Sequence, residues 1–164
     1  MQSLGALAHF DYNKPGSYSY EQAFLVMRQL QLPMQDLEEQ YRRMVFNLVA
    51  RNQDDHVKNI AFLMDRTGQW SLSPAFDITW SFNPDGDWTA THQMSVNGKR
   101  DQFDRADLLA AGRSAQLKRG RADAIAEEVI SAVRDWPRFA AEAGVAEDRW
   151  SPIQASHRLT LLQR

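Results

Sequence analysis

The stretch Gln53-Asp54-Asp55-His56-Val57-Lys58-Asn59 carries the residues on which the interpretation of this chain depends. Asp54 and Asn59 lie five positions apart, and a further aspartate, Asp77, follows after a hairpin-like segment. Kinase-type sites place their chemistry in this order. The first Asp accepts a proton from the attacking hydroxyl, and the Asn and the later Asp hold magnesium on the nucleotide phosphates. The order therefore predicts a phosphoryl-transfer site.

A solvated polar loop is the alternative for this stretch. Asp and Asn are common in loops after helices, and the short motif alone arises often by chance, so taken alone it favours the polar loop. The following residues change that weighing. Residues 60–64 have the length of an apolar strand, residues 65–68 have turn chemistry, and Trp70 and Leu72 alternate with polar residues. A hairpin between the Asn and the later Asp matches the kinase order.

Asp77 lies between Phe76 and Ile78. These neighbours predict apolar surroundings, in which an isolated carboxylate is costly. We therefore expect the Asp77 carboxylate to be paired or metal-bound, with a cap or turn residue as the alternative.

The residues before the motif predict two helices. Ser19 and Gln22 form a capping-box pattern, and Pro33 ends the helix that follows. Asp36 and Glu39 repeat the capping signal ahead of a regular amphipathic pattern. Its apolar positions are Leu37, Tyr41, Met44, Val45, Leu48 and Val49. This second helix delivers the chain directly to the Asp54 loop.

The residues after the hairpin predict a long loop and then more helices. Residues 80–103 are irregular, and a helix begins at Asp104. Residues 121–136 form an amphipathic helix that Pro137 bends or interrupts, and residues 147–162 form a last helix. The predicted fold class is mainly α with one small β-hairpin.

Composition limits the function classes. The chain has 164 residues, of which 43% are hydrophobic, so it fits one domain or one lobe of a larger enzyme. A net charge of -2 gives no general attraction to nucleic acid or anionic membranes, and the absence of cysteine excludes disulfides and cysteine-based sites. No apolar run has the length of a membrane span, and residues 1–3 open no signal peptide, so we expect a cytoplasmic protein.

Two further patterns have plainer explanations. The segment Lys118-Arg119-Gly120-Arg121 places basic residues at the turn between two predicted helices, which gives a helix-turn-helix outline. A solvated loop is favoured there because the chain is net negative. The histidines are His9, His56, His92 and His157. None is four positions from another, so a zinc site is not expected.

The segment from Phe46 to Asn59 resembles the catalytic loop of the HipA family of serine/threonine kinase toxins. The resemblance continues through Ala61-Phe62-Leu63 and through Trp70 to Asp77. Further similarity is found at Tyr20-Glu21, at Arg42-Arg43 and from Trp88 to Met94. It covers most of the chain, from about residue 4 to 140.

The resemblance implies a distant kinase fold that transfers phosphate from ATP to a Ser/Thr hydroxyl of a protein. By position, Asp54 is the catalytic base, and Asn59 and Asp77 are the Mg²⁺ ligands. His56 and Lys58 lie between these residues and have weaker claims as groups that face phosphate.

The resemblance also implies partners. HipA-type proteins are the toxin half of toxin–antitoxin pairs, and the usual partner is a small HipB-like helix-turn-helix antitoxin that also binds operator DNA. DNA would then be reached only through the antitoxin, and no membrane is involved. Known targets lie in translation and include an aminoacyl-tRNA synthetase.

One departure from the family is large. The nucleotide-binding elements of HipA-type proteins precede the matching region, whereas only 53 residues precede Asp54 here. There is no Gly-x-Gly-x-x-Gly, and Lys14 is the only lysine before the motif. We therefore expect residues 1–164 to form a single HipA-like C-terminal kinase lobe without its nucleotide lobe, and with negligible activity alone. The alternative is a non-catalytic module that binds an antitoxin or a separately encoded N-terminal lobe.

Overall fold

The computed structural model of the protein describes residues 1–163. In these residues the chain forms seven α-helices and three short strands. In chain order they are β1 (Gln2–Ser3), α1 (Leu4–Ala8), α2 (Tyr20–Gln29), α3 (Met34–Ala50), β2 (Ala61–Met64), β3 (Trp70–Leu72), α4 (Arg105–Ser114), α5 (Arg121–Arg134), α6 (Trp136–Glu142) and α7 (Glu147–Ser156). A 3-10 turn at Leu161–Gln163 follows. The predicted mainly α fold with a small hairpin is confirmed.

The sheet is antiparallel with strand order β1-β2-β3. The predicted hairpin joins β2 and β3, with Phe62 opposite Leu72 and Met64 opposite Trp70. Strand β1 adds a third member, because Gln2 pairs with Phe62. Sequence reasoning missed β1 because two residues are too few to show strand alternation.

The two predicted helix starts before the motif have different outcomes. The capping box at Ser19 is confirmed, since its side chain accepts from Gln22 N and the Gln22 side chain accepts from Ser19 N. The predicted cap at Asp36 is wrong. Helix α3 begins after Pro33 without a side-chain cap. The Asp36 carboxylate instead accepts a hydrogen bond from Leu72 N at 2.8 Å, and this bond ties the first turn of α3 to β3.

Helix α3 is the central element of the core. Its six predicted apolar residues are all fully buried, and it packs chiefly against α5. Another side of α3 carries the buried polar residues Gln40 and Asn47. Both residues line the cleft of the site described below, where buried amides can find a partner or a ligand.

The C-terminal helices follow the prediction in part. Pro137 occupies the start of α6, which confirms the interruption after α5. The last helix begins as predicted but ends at Ser156, so the predicted end at residue 162 is wrong. After it the chain turns back to α3, where Arg158 N donates to Val49 O at 2.9 Å.

Residues 80–103 contain no helix or named strand, as predicted. Isolated bridges connect this segment to the remainder of the domain: Ser81 pairs with Asn52, and Ser95 pairs with Ser19. These bridges bring the long loop beside the Asp54 loop.

No helix in residues 1–163 combines the length and apolar character needed to cross a membrane.

Candidate active site

The loop after α3 closes on itself and brings Asp54 and Asn59 together. Arg51 ends the helix in the left-handed conformation, with φ of 61°, and turns the chain into the loop. The Asn59 side-chain Nδ2 donates to Asp54 O at 2.9 Å, and Asn59 N donates to His56 O at 2.9 Å. The amide nitrogen of Asn59 is therefore used to hold the loop, and its Oδ1 is the atom that could bind a metal.

The segment that carries Asp77 lies on the surface. Phe76 is 38% exposed and Ile78 is 41% exposed, so the prediction of apolar surroundings for Asp77 is wrong. Both flanking residues contribute to the cleft lining, beside the polar residues Gln40 and Asn47 of α3, rather than to the core. Asp77 itself is exposed and adopts a left-handed backbone conformation with φ of 55°.

Asn52 connects the two segments. Its Nδ2 donates to Asn47 Oδ1 at 3.0 Å and to Asp77 O at 3.3 Å. Two backbone hydrogen bonds of 3.0 Å support this link, from Gln53 N to Ser81 O and from Ser81 N to Arg51 O. The backbone of the Asp77 segment is thus held against the Asp54 loop.

A narrow cleft runs between the two segments. Three of the predicted site residues, His56, Asn59 and Asp77, line it together with the buried Asp55. Asp54 lies beside this cleft rather than in its wall, and its charge interacts with that of Asp77. The structure therefore brings Asp54, Asn59 and Asp77 into one site.

Asp54 has the properties of a proton acceptor. Partial burial raises its pKa above the ordinary value; His56 acts in the opposite direction, and the negative charges of Asp77 and Asp55 raise it further. A carboxylate with a raised pKa is a better general base near neutral pH than an unperturbed one. Its side chain remains 46% exposed, so an approaching hydroxyl can reach it.

The two weaker candidates are placed differently. His56 lies on the cleft wall, with Nε2 3.9 Å from Asp54 Oδ1. Lys58 is exposed, and its Nζ lies 3.1 Å from the ring centroid of Tyr12, where it makes a cation–π contact. His56 thus faces the cleft, whereas Lys58 packs on Tyr12 and is not part of the cleft wall.

Sequence reasoning missed the residue that anchors the site, Asp55. It is only 2% exposed, and its carboxylate accepts hydrogen bonds from Tyr20 Oη at 2.8 Å, His92 Nδ1 at 2.9 Å and Gln93 N at 2.8 Å. Burial acts to raise the pKa of Asp55, but His92 and the other donors outweigh it and leave the pKa below the ordinary value. The available signal was that Tyr20, His92 and Gln93 all fall in segments that share the HipA resemblance.

The cleft suits a polar ligand. Gln40 Oε1, Asn52 Oδ1 and His56 Nδ1 are buried and have no hydrogen-bond partner within residues 1–163, and all three residues line the cleft. Buried polar atoms without partners are rare in proteins and point to a bound ion, water or ligand.

The donor set fits magnesium on a nucleotide. Within the described residues no three His, Asp or Glu side chains cluster into a self-sufficient metal site. Magnesium is typically held by one or two protein carboxylates together with substrate phosphates and water. The Asp77 carboxylate and the Asn59 amide oxygen are the hard oxygen donors that such a site requires.

Comparisons with known proteins agree with the resemblance. The sequence model of the family described as "HipA-like C-terminal domain" matches residues 1–136. The fold is similar to Shewanella oneidensis HipA in its complex with HipB and operator DNA, with a TM-score of 0.64 and 21% identity. That match covers 88% of this chain and 34% of the HipA chain, so the chain spans about a third of that neighbour's length. No curated protein matches the chain.

Proposed function

The chain belongs to the HipA-like C-terminal domain family, and from this premise we propose that it supplies the phosphoryl-transfer residues of a serine/threonine protein kinase. Residues 1–164 would form one domain, the C-terminal kinase lobe, with ATP and Mg²⁺ as cofactors. The observation that supports this proposal best is the cleft that Asn59 and Asp77 line together, with Asp54 beside it and close enough for its charge to interact with that of Asp77.

Each residue has a separate task in this proposal. Asp54 orients the hydroxyl of the protein substrate and takes its proton. Asn59 Oδ1 and the Asp77 carboxylate hold Mg²⁺, which when bound neutralises charge on the phosphates. His56, on the cleft wall, would face a phosphate oxygen, whereas Lys58, which packs on Tyr12, would not.

Phosphoryl transfer depends on positioning and on stabilisation of charge rather than on covalent chemistry by the protein. The sequence has no phosphate-covering glycine loop, and the only lysine before the motif, Lys14, is exposed. We infer that this chain alone transfers phosphate at a negligible rate and requires a nucleotide-clamping lobe.

We further propose that the protein acts as a toxin component with a HipB-like antitoxin, as in the complex of the Shewanella neighbour. DNA contact would pass through the antitoxin, and the substrate would be a cytoplasmic protein of translation, such as an aminoacyl-tRNA synthetase. The exposed apolar side chains on and after the Asp77 segment suit a protein partner. They are Phe76, Ile78, Trp80 and Trp88.

This surface also favours the second candidate function, a non-catalytic interaction module. The two functions are separated by mixing the chain with the strand-rich N-terminal lobe of a HipA-type kinase and following phosphate transfer from labelled ATP to protein. The kinase proposal predicts transfer only in the mixture, and loss of transfer with retained lobe binding in Asp54→Ala.

Asp87→Ala, in the exposed part of the 80–103 loop, is the matched control and should leave transfer unchanged. Lobe binding without transfer in the unaltered chain would support the interaction module. Transfer that survives in Asp54→Ala would overturn the assignment of Asp54 as the base.

A further inference from the structure

Arg158 reaches from the C-terminal segment to the underside of the Asp54 loop. It lies after α7, outside the residues 1–136 that match the family, and its side chain is only 11% exposed. Its Nη1 donates to Leu48 O at 2.9 Å, and its Nη2 donates to Gln53 Oε1 at 3.2 Å and pairs with Asp101. A buried arginine with this many partners fixes the chain around it.

The most informative contact of Arg158 is with His92. Arg158 Nη1 lies 2.9 Å from His92 Nε2, and His92 is fully buried. A guanidinium group can only donate hydrogen bonds, so Nε2 must be the acceptor. The proton of the neutral imidazole then resides on Nδ1, which donates to Asp55 Oδ2 at 2.9 Å. Arg158 thereby selects the His92 tautomer that holds Asp55.

The same network continues to the Asp77 segment. Tyr20 Oη donates to Asp55 Oδ2 at 2.8 Å and accepts from Asn47 Nδ2 at 2.9 Å. Asn47 Oδ1 accepts from Asn52 Nδ2, which also donates to Asp77 O. The hydrogen bonds of this network therefore run toward Asp55 from both sides, from Arg158 through His92 and from Asn52 through Asn47 and Tyr20. If His92 changed its tautomer, Nδ1 would no longer donate and Asp55 would lose one of its hydrogen bonds.

Burial makes the charged form of the Arg158 guanidinium less favourable. Burial lowers its pKa to about 10, Arg51 lowers it as well, and Asp101 works in the opposite direction. The group is still charged at neutral pH. Arg158 therefore remains a donor throughout the range in which the site would act.

We propose that Arg158 is a positioning residue, which locks His92 as the Nδ1–H tautomer and so holds Asp55, the Asp54 loop and the Asp77 segment in register. Its link to phosphoryl transfer rests on the function proposed above. Because Arg158 lies outside the family match, the C-terminal segment is inferred to be part of the site's support.

The test uses the full chain, uniformly labelled with ¹⁵N, and Mn²⁺ plus ATP as the metal probe. Histidine nitrogen shifts report the His92 tautomer, and amide shifts report residues 54–59 and 77. Mn²⁺ affinity is read from proton relaxation. The variants are Arg158→Met and Arg158→Lys, and Arg149→Met on exposed α7 is the matched control.

We expect Arg158→Met to move His92 away from the pure Nδ1–H tautomer and to shift the amides of residues 54–59. Mn²⁺ binding should weaken by up to about tenfold, the lower end of the loss caused by removing a group that bonds directly to a metal ligand. Arg158→Lys keeps the charge but has only one donor nitrogen, so it should show a smaller change. It replaces Arg158→Met in the test if that variant does not fold. Arg149→Met should match the unaltered chain.

Unchanged histidine and amide shifts in the Arg158 variants would overturn the inference. A changed tautomer with unchanged loop amides and Mn²⁺ affinity would also overturn it, since Arg158 would then only stabilise the fold. If the unaltered chain bound no Mn²⁺, the proposed kinase site would fail, and the amide shifts alone would still decide the positioning role of Arg158.

Discussion

The Asp54 loop and the Asp77 segment contribute to the same cleft but are held in opposite ways. The Asp54 loop rests on the buried carboxylate of Asp55, which accepts three hydrogen bonds. The Asp77 segment is exposed and is tied down by backbone bonds of Ser81 and by the side chain of Asn52. The proposed base is thus built onto the core, whereas the proposed metal ligand Asp77 is carried on a surface loop. Substitutions under the Asp54 loop should therefore lower the free energy of unfolding, whereas substitutions in the Asp77 segment should mainly affect the proposed metal binding.

The largest effect is expected at Asp55. Asp55→Ala leaves the buried donors of Tyr20, His92 and Gln93 without their acceptor, and each buried donor left unsatisfied costs about 1–3 kcal/mol. Urea unfolding of the variant and of Asp87→Ala, an exposed control, measures the difference. A loss at Asp55 no larger than that at Asp87 would contradict the contrast between the two segments.

The pH dependence provides a second check on Asp55. Its folded-state pKa is lowered, so its contribution to the free energy of unfolding is present above the unfolded pKa of about 3.9 and is lost as pH falls toward the folded value. The stability difference between the unaltered chain and Asp55→Asn should therefore shrink from pH 6 to pH 3. A stability difference that grows on acidification would contradict the lowered pKa of Asp55.

Asn59 should show both effects at once. Asn59→Ala removes the hydrogen bond to Asp54 O, which costs about 1 kcal/mol, and removes the oxygen proposed to hold the metal. Asn59→Asp keeps an oxygen donor but loses the amide N–H. Urea unfolding should show a loss of stability in both variants. The affinity for Mn²⁺ with ATP should fall mainly in Asn59→Ala. Equal affinity losses would argue against Asn59 Oδ1 as a ligand.

At Asp77 we expect the opposite of Asp55: substitution should affect the proposed metal binding more than the stability of the fold. Its φ of 55° suits glycine, so Asp77→Gly is expected to raise stability by about 0.5–1 kcal/mol, whereas Asp77→Ala should lower it. Both variants lose the proposed metal ligand. Thermal unfolding and Mn²⁺ binding of the pair give the comparison, and a destabilised Asp77→Gly would show that the carboxylate itself holds the loop.

The smallest stability effect is expected at Asp54. Its folded-state pKa is raised, so its negative charge opposes folding as pH rises past the unfolded value. Asp54→Asn should therefore be slightly more stable at pH 7, by a few tenths of a kcal/mol given its exposure to solvent. Phosphate transfer in the lobe-complemented mixture should be lost. A less stable variant would contradict the direction of the shift.

The sequence indicates local patterns better than the contacts between them. The amphipathic pattern of α3, the hairpin and the Ser19 capping box depend on neighbouring residues, and all three are confirmed. Asp36 has the same local capping signal, but its carboxylate binds Leu72 N, a partner that the fold supplies. The early end of α7 has a similar cause, because Arg158 binds α3 and takes the chain out of the helix.

The candidate site shows the same limit. The spacing of Asp54, Asn59 and Asp77 is visible in the chain, but the exposure of Asp77 could not be read from its apolar neighbours. Local patterns did not identify Asp55 either, since its partners Tyr20 and His92 are 35 and 37 positions away in sequence and are linked to it only by the family resemblance. A buried network assembled from distant segments leaves no periodic signal.

The most direct test of the proposed site is paramagnetic broadening of amide signals by Mn²⁺ with ATP, which detects weak binding. In the unaltered chain we expect broadening centred on residues 54–59 and 76–78, and we expect it to disappear in Asp77→Ala while Asp87→Ala behaves as the unaltered chain. Broadening that is absent, that centres elsewhere or that persists in Asp77→Ala would contradict the assignment of this cleft as the magnesium–nucleotide site.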